Sequence, residues 1–199
     1  MNAALAACGA VVATILYWTI AAEAAGRRRR TIGTLPLLLP VLVGATAYAA
    51  TAMGVPLPAV AASAGAAVAG VVDARTGAIF DWLTASMFLA SAALGAVNGS
   101  LANGLYGAAA VGGALFVLHA ISSARGLGLG DVKLGAALGM ALGISSGLIA
   151  IALAFVFGGS YGAWLLATKR ARAGTAVRFA PFIAAGTFVA LFVPLGFRT

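Results

Sequence analysis

Gly126 to Gly135 reads GLGLGDVKLG, which places one carboxylate, Asp131, inside an otherwise apolar sequence. A charged side chain at mid-membrane costs about 2.5 to 3.5 kcal/mol on insertion scales, so an acid in such a setting is by default a functional candidate. The glycines before it remove side-chain bulk, which lets another segment lie close to the carboxylate. A second acid, Asp73, ends an apolar stretch earlier in the chain. These two carboxylates are the starting point for both fold and function.

The composition predicts an integral membrane protein. The chain has 199 residues, of which 63% are hydrophobic and 8% are charged, and its mean hydropathy is +1.09. This length suits a single domain of several spans. The net charge of +8 comes from short basic clusters between apolar runs, a pattern typical of membrane orientation and not of a nucleic-acid partner. A single cysteine, Cys8, excludes an intrachain disulfide, a Cys-rich zinc site and a CxxC redox pair, and a single histidine, His119, excludes a His-based metal cluster.

Apolar runs of spanning length predict an all-α, polytopic bundle of about eight transmembrane helices, with six to eight as the range. The candidate spans are Ala3–Ala22, Leu35–Met53, Ala59–Val72, Trp82–Val97, Leu101–Ala120, Val132–Ile144, Gly147–Ala167 and Phe179–Phe197.

Val132–Ile144 is short enough to be a re-entrant segment, and this choice decides the orientation of everything after it. If it crosses, the basic stretch from Lys169 to Arg178 lies on the same side as Arg27 to Arg30, as the positive-inside tendency favours. We therefore interpret it as crossing. The amino terminus then lies outside, and every basic residue except Arg198 lies inside together with all 4 acids.

Glycine recurs at every fourth residue from Asp131 to Gly143, so on a helix these residues form one stripe with the carboxylate at its cytoplasmic end. Small residues at that spacing let a neighbouring helix approach closely. The predicted helix Ala59–Val72 is built from small residues and leads directly into Asp73. It is the expected partner of the stripe, and their packing would bring Asp73 towards Asp131.

Two carboxylates about 3 Å apart cannot both ionise readily, so they share a proton and can act as base and acid on a water molecule. The competing nucleophiles are Ser122 and Ser123, which share a helix face with His119 if that helix continues. A serine mechanism also needs groups that orient the histidine and bind an oxyanion, and the sequence indicates neither. We interpret the serines as backbone-bonding residues at a helix end, and His119 as a hydrogen-bond partner between helices.

Three stretches carry a resemblance to a known family. GLGLGDVKL, with Gly128, Gly130 and Asp131, resembles the GxGD signature of type IV prepilin peptidases and archaeal preflagellin peptidases. DARTGAIFDWLT, from Asp73 to Thr84, is similar to the first aspartate box of that family, although Phe stands where the family usually has Pro before the second acid. FAPFIAAG, from Phe179 to Gly186, is similar to a segment of the family's last helix.

The resemblance implies an intramembrane aspartic endopeptidase with Asp73 and Asp131 as the catalytic pair, and with no metal and no cofactor. Asp81 is interpreted as a loop anchor or a helix cap and not as a member of the pair. The same resemblance gives six further site residues: the motif-supporting Gly128, Gly130, Asp81 and Lys133, and the candidate substrate-cleft residues Pro181 and Phe182.

The resemblance also implies one membrane-embedded peptidase domain over residues 1–199, with a catalytic core over about 59–199. The expected substrate is a prepilin-like or preflagellin-like precursor, cut after its basic leader at the cytoplasmic face of a prokaryotic plasma (inner) membrane. The expected partners are this precursor and membrane lipid. Many bacterial relatives have a Cys-rich cytoplasmic insert and methylate the new amino terminus, and the short first inside loop here predicts no such module.

Two alternatives from other functional classes remain open. A small proton-coupled transporter or channel would use the buried carboxylates to relay ions, although we find no convincing internal repeat of the kind that transporters often show. A non-enzymatic scaffold of a secretion complex would keep its function after replacement of both acids.

Overall fold

The computed structural model describes residues 54–122, 126–170 and 177–193, apart from the side chain at position 75. All regular elements in these ranges are helices, so the all-α prediction is confirmed for them. The helices are α1 (Leu57–Thr76), α2 (Asp81–Val97), α3 (Leu101–Ile121), α4 (Leu129–Ala167) and α5 (Ala180–Leu191). The predicted spans Ala3–Ala22 and Leu35–Met53 lie outside the described residues.

Three of the described helices are long and apolar enough to cross a membrane. The candidate spans are Leu57–Ala74 in α1, Leu101–Ile121 in α3 and Leu129–Ala167 in α4. The helices α2 and α5 are also apolar, but they have only 17 and 12 residues. The total of about eight spans and the outside amino terminus therefore stay predictions.

Helix α4 is interrupted at Gly143, which has φ 73° and ψ −175°. This backbone region is essentially restricted to glycine. Residues eight apart in a straight helix lie about 12 Å apart along its axis, yet a Cβ added to Gly147 would lie 3.4 Å from the Cα of Gly139. The chain therefore folds back at Gly143, and α4 is a hairpin with a first arm (129–142) and a return arm (144–167).

The two arms correspond to the predicted runs Val132–Ile144 and Gly147–Ala167, but the break comes slightly earlier than predicted. At the bend, the backbone N–H of Ile144 donates a hydrogen bond to Asn103 Oδ1 at 3.4 Å. This contact gives a partner to one of the backbone donors at the start of the return arm, which would otherwise be unsatisfied.

The glycine stripe of the first arm packs against α3 and not against α1, so the predicted partner of the stripe was wrong. A Cβ added to Gly139 would overlap the backbone of Gly107, and one added to Gly112 would lie 2.8 Å from the Cβ of Ala136. The physical reason is that α3 contributes glycines of its own to this interface. Small residues on both helices allow a closer backbone approach than small residues on one helix alone.

Helix α1 contacts the start of α5, where a Cβ added to Gly70 would lie 3.2 Å from the Cα of Pro181. Helix α5 lies in turn against the return arm, since a Cβ added to Gly186 would overlap the backbone of Ala150. The end of α1, the start of α4 and the start of α5 are thus at the same end of the bundle. The segment before α5 lies at this end, and the crossing of the membrane by Val132–Ile144 stays a prediction.

Candidate active site

Asp73 lies in the last turn of α1, and the way this helix ends determines where the chain goes next. Gly77 follows the helix in the left-handed conformation, with φ 70°, which glycine adopts without a steric penalty. Its N–H donates a hydrogen bond to the Asp73 carbonyl oxygen at 2.8 Å, as in the common αL helix end. The residue itself is only 7% exposed, so its carboxyl group is held within the protein.

Asp131 lies in the first turn of α4 and is 8% exposed. Its Oδ2 accepts a hydrogen bond from the backbone N–H of Gly128 at 3.1 Å, which is one half of a capping box. Its Oδ1 is buried and has no hydrogen-bond partner among the described residues. A buried polar atom without a partner costs about 1–3 kcal/mol, and native proteins contain few of them. The unpaired oxygen makes this side chain a candidate for a functional role in addition to its capping role.

The structure brings the two acids together at one end of the bundle. They are close enough for the charge of Asp73 to act on Asp131. The segments that carry them are also in contact, because a Cβ added to Gly130 would lie 3.1 Å from the Cβ of Ile79. Gly130 is therefore where another segment approaches the glycine-rich stretch, as the sequence predicted.

A second link joins the two aspartate stretches. Lys133 Nζ lies 2.7 Å from Asp81 Oδ1, which connects the first turn of α4 to the first residue of α2. Phe80 and not Asp81 occupies the N-cap position of α2, and the ion pair with Lys133 is consistent with the predicted role of Asp81 as a loop anchor. The Lys133 side chain is 49% exposed and the Asp81 side chain is 75% exposed. Exposed ion pairs contribute only about 0–1 kcal/mol to the free energy of unfolding. The pair matters for geometry more than for stability.

Two groups at the start of α5 and just before it reach Asp73, and neither contact was predicted from the sequence. The Arg178 guanidinium donates a hydrogen bond to the Ala74 carbonyl oxygen, and its positive charge acts on the Asp73 carboxylate. The backbone N–H of Ala180 also interacts with that carboxylate. The available signal was the position of Arg178, immediately before the stretch that resembles the last helix. Membrane orientation already explained a cation there, so its contact was not foreseen.

The comparison with known families decides the assignment of this chain. The model of the type IV leader peptidase family matches residues 60–163, which is just over half of the chain. The chain belongs to the type IV leader peptidase family. Searches among curated proteins and among solved structures gave no match. Family membership and the apolar helices together identify a membrane peptidase, and the matched region contains both Asp73 and Asp131.

In this leader peptidase, the two candidate substrate-cleft residues lie at the start of α5, next to the segment that contacts Asp73. Pro181 packs against α1 at Gly70. The ring of Phe182 contacts the rings of Phe179 and Tyr161, with centroid distances of 6.5 and 5.5 Å. Their role in a substrate cleft stays a prediction.

Ser122 and His119, two of the residues considered for a serine mechanism, both contact backbone carbonyl groups. Ser122 Oγ donates to the His119 carbonyl oxygen at 3.1 Å, which confirms its predicted local role at a helix end. His119 Nδ1 lies 2.7 Å from the carbonyl oxygen of Leu127, so its partner is the segment before α4 and not another helix. Ser123 lies outside the described residues. Within the described ranges, no group of three or more His, Cys, Asp or Glu side chains is arranged to hold a metal ion.

Proposed function

We propose that this peptidase is an intramembrane aspartic endopeptidase in which Asp73 and Asp131 form the catalytic dyad. The observation that carries the proposal is that two buried carboxyl groups, 58 positions apart in the sequence, lie within electrostatic reach of each other, and that one of them has an oxygen without a partner among the described residues. The family provides the reaction class, which is hydrolysis of a peptide bond in a leader sequence. The dyad provides the acid and the base for that reaction.

The mechanism follows from one proton held between two carboxyl groups. The ionised member accepts a proton from a water molecule as the water oxygen attacks the carbonyl carbon of the scissile bond. The protonated member donates its proton to the carbonyl oxygen, which gives a tetrahedral intermediate. When the intermediate collapses, one of its two hydroxyl groups returns a proton to the ionised carboxylate as the C=O bond re-forms. The C–N bond breaks, and the leaving nitrogen takes a proton from the protonated carboxyl group. The pair then again holds one proton.

The proposed substrate is a prepilin-like or preflagellin-like precursor, in which a basic leader precedes a hydrophobic helix. Cleavage at the boundary between them requires a site at the end of an apolar bundle, and Asp73 and Asp131 lie at such an end. The proposed location is the cytoplasmic face of a prokaryotic plasma membrane. The described helices share one buried core, which supports a single domain whose catalytic part begins at about residue 59.

The position of the acids also bears on the transporter alternative. Substrate and ion sites of secondary transporters lie near the bilayer midplane, where discontinuous helices expose backbone groups. Asp73 is in the last turn of α1 and Asp131 is in the first turn of α4. Two acids at helix ends fit a protease that cuts at the membrane boundary better than a transporter that relays ions at the bilayer midplane.

The test is leader removal by the full chain, reconstituted in liposomes with a precursor that has a basic leader and a hydrophobic segment. Asp73→Asn and Asp131→Asn should each lower the rate by about 10²- to 10⁴-fold, because general acid–base catalysis is lost. Glu23→Gln is the control, since it removes one negative charge from an acid outside the region that the family model matches and should keep most of the activity. Circular dichroism checks that each variant is folded.

Full processing by either dyad variant would contradict the proposal. Ion flux that depends on both acids, without cleavage of any precursor, would favour the transporter instead. Retention of host function by both Asn variants would favour a non-enzymatic scaffold.

A further inference from the structure

Arg178 belongs to neither aspartate stretch, yet it lies over the end of α1. Its guanidinium donates to the Ala74 carbonyl oxygen, and basic side chains commonly satisfy such terminal carbonyls of a helix. It also lies beside the glycine that ends α1, since a Cβ added to Gly77 would lie 3.4 Å from Arg178 Nη2. These two contacts hold a positive charge next to Asp73.

The two acids of the proposed dyad have different surroundings. Asp73 faces the charge of Arg178 and the backbone N–H of Ala180 at the start of α5. Among the described residues, Asp131 has one hydrogen bond, from Gly128, and no partner for its Oδ1, and it faces the negative charge of Asp73. An opposite charge and hydrogen-bond donors favour the ionised form of a carboxyl group, whereas a like charge disfavours it.

Among the side chains that the structure describes at this end, the other charged groups do not give the same asymmetry. Lys133 of α4 is paired with Asp81 of α2. The sequence of α5 contains no titratable residue, and Arg75 follows Asp73 on its own helix. Among the described charges that reach Asp73 from another segment, Arg178 is the positive one and Asp131 is the negative one.

We propose that Arg178 is a positioning residue that holds Asp73 as the ionised, water-activating member of the dyad, so that Asp131 keeps the shared proton. This inference rests on the proposed function and deepens it, because it assigns different starting roles to two chemically identical side chains. It also makes catalysis dependent on the segment before α5, which the family match does not include.

Three variants of the full chain test the role of Arg178 in cleavage. Arg178→Gln removes the charge, Arg178→Lys keeps it, and Lys169→Gln removes an equal charge from an exposed position between α4 and α5. Arg178→Gln should lower kcat by about tenfold with little change in KM, and it should move the acidic limb of the kcat profile to higher pH by about one unit. Arg178→Lys should recover most of this loss, and Lys169→Gln should match the unmodified protein.

A second measurement follows the carboxyl group directly and needs no cleavage. Infrared difference spectroscopy over a pH titration reports the ionisation of Asp73 in an Asp131→Asn background, and Asp73→Asn identifies its band. Adding Arg178→Gln to this background should move the titration of Asp73 to higher pH by about one unit or more. Adding Lys169→Gln should leave it in place.

Equal titrations with Arg178→Gln and Lys169→Gln would overturn the inference and leave the proposed dyad standing. A loss of activity in Arg178→Gln that Arg178→Lys does not recover, with an unmoved acidic limb, would also overturn it. Full cleavage by Asp73→Asn would overturn the proposed function and this inference together.

Discussion

At the scale of single residues, an acid in an apolar sequence was the most informative signal. Burial of a carboxylate is costly enough to require a reason, so Asp73 and Asp131 could be selected from the sequence. The contact between Arg178 and the end of α1 could not, because it depends on how α5 packs against α1. A basic residue in a loop also has a sufficient explanation in membrane orientation, which hid its second role.

At the residue scale, Gly130→Ala is a test that adds a single methyl group between the two aspartate-bearing segments. In Gly130→Ala the new Cβ would lie 3.1 Å from Ile79 Cβ, so the two aspartate-bearing segments must move apart by a few tenths of an ångström. Since a misplacement of about 1 Å can cost about 10²-fold in rate, we expect leader removal to fall by about tenfold. The thermal unfolding temperature should change little.

Gly113→Ala is the matched control for this variant. It lies in α3, and an added Cβ there meets no atom within 4 Å. Alanine is a better helix former than glycine, so this variant should be fully active and at least as stable. Equal activity of Gly130→Ala and Gly113→Ala would show that close approach at Gly130 is not needed.

At the scale of elements, the sequence predicted the bounds of helices more reliably than which helices pack against each other. The apolar runs gave the bounds of α2 and α3 to within one residue, because membrane helices need long uninterrupted apolar stretches. The stripe that ends at Gly143 correctly indicated a close helix contact, but its spacing does not specify which helix fills it. The glycines of α3 decided that choice, and their arrangement relative to α4 is a tertiary property.

The bend in α4 gives a prediction at this scale. Gly143→Ala would place a Cβ 2.5 Å from Asn103 Nδ2 at a backbone conformation with φ 73°, which alone costs about 1–3 kcal/mol. We expect a lower free energy of unfolding and loss of cleavage. The reason is that α5 packs against the return arm, and Arg178 lies just before α5. Gly162→Ala, in open space on the same helix, is the control. Unchanged stability of Gly143→Ala would contradict the hairpin.

At the scale of the whole molecule, distant parts of the sequence meet at one end of the bundle. Asp73, Asp131 and the segment before α5 all lie there, whereas the turn at Asn98 lies at the other end of α2. The sequence could predict this common end because basic residues cluster on one predicted side. It could not give the distance between the acids, since that depends on the hairpin and on the contact between α1 and α5.

The orientation in the membrane can be measured with single cysteines. In a Cys8→Ala background, Lys169→Cys should react with a membrane-impermeant maleimide only from the cytoplasmic side, and Asn98→Cys only from the outside. Both positions are exposed. Labelling of both from the same side would contradict the proposed arrangement of the bundle.

The most direct test of the central claim is a double-mutant cycle on the dyad in the reconstituted cleavage assay. If Asp73 and Asp131 act as one unit, Asp73→Asn, Asp131→Asn and the double variant should all lose a similar factor in kcat, about 10²-fold or more, because catalytic groups that act together are strongly non-additive. Full leader removal by either single variant, or losses that multiply in the double variant, would contradict the account.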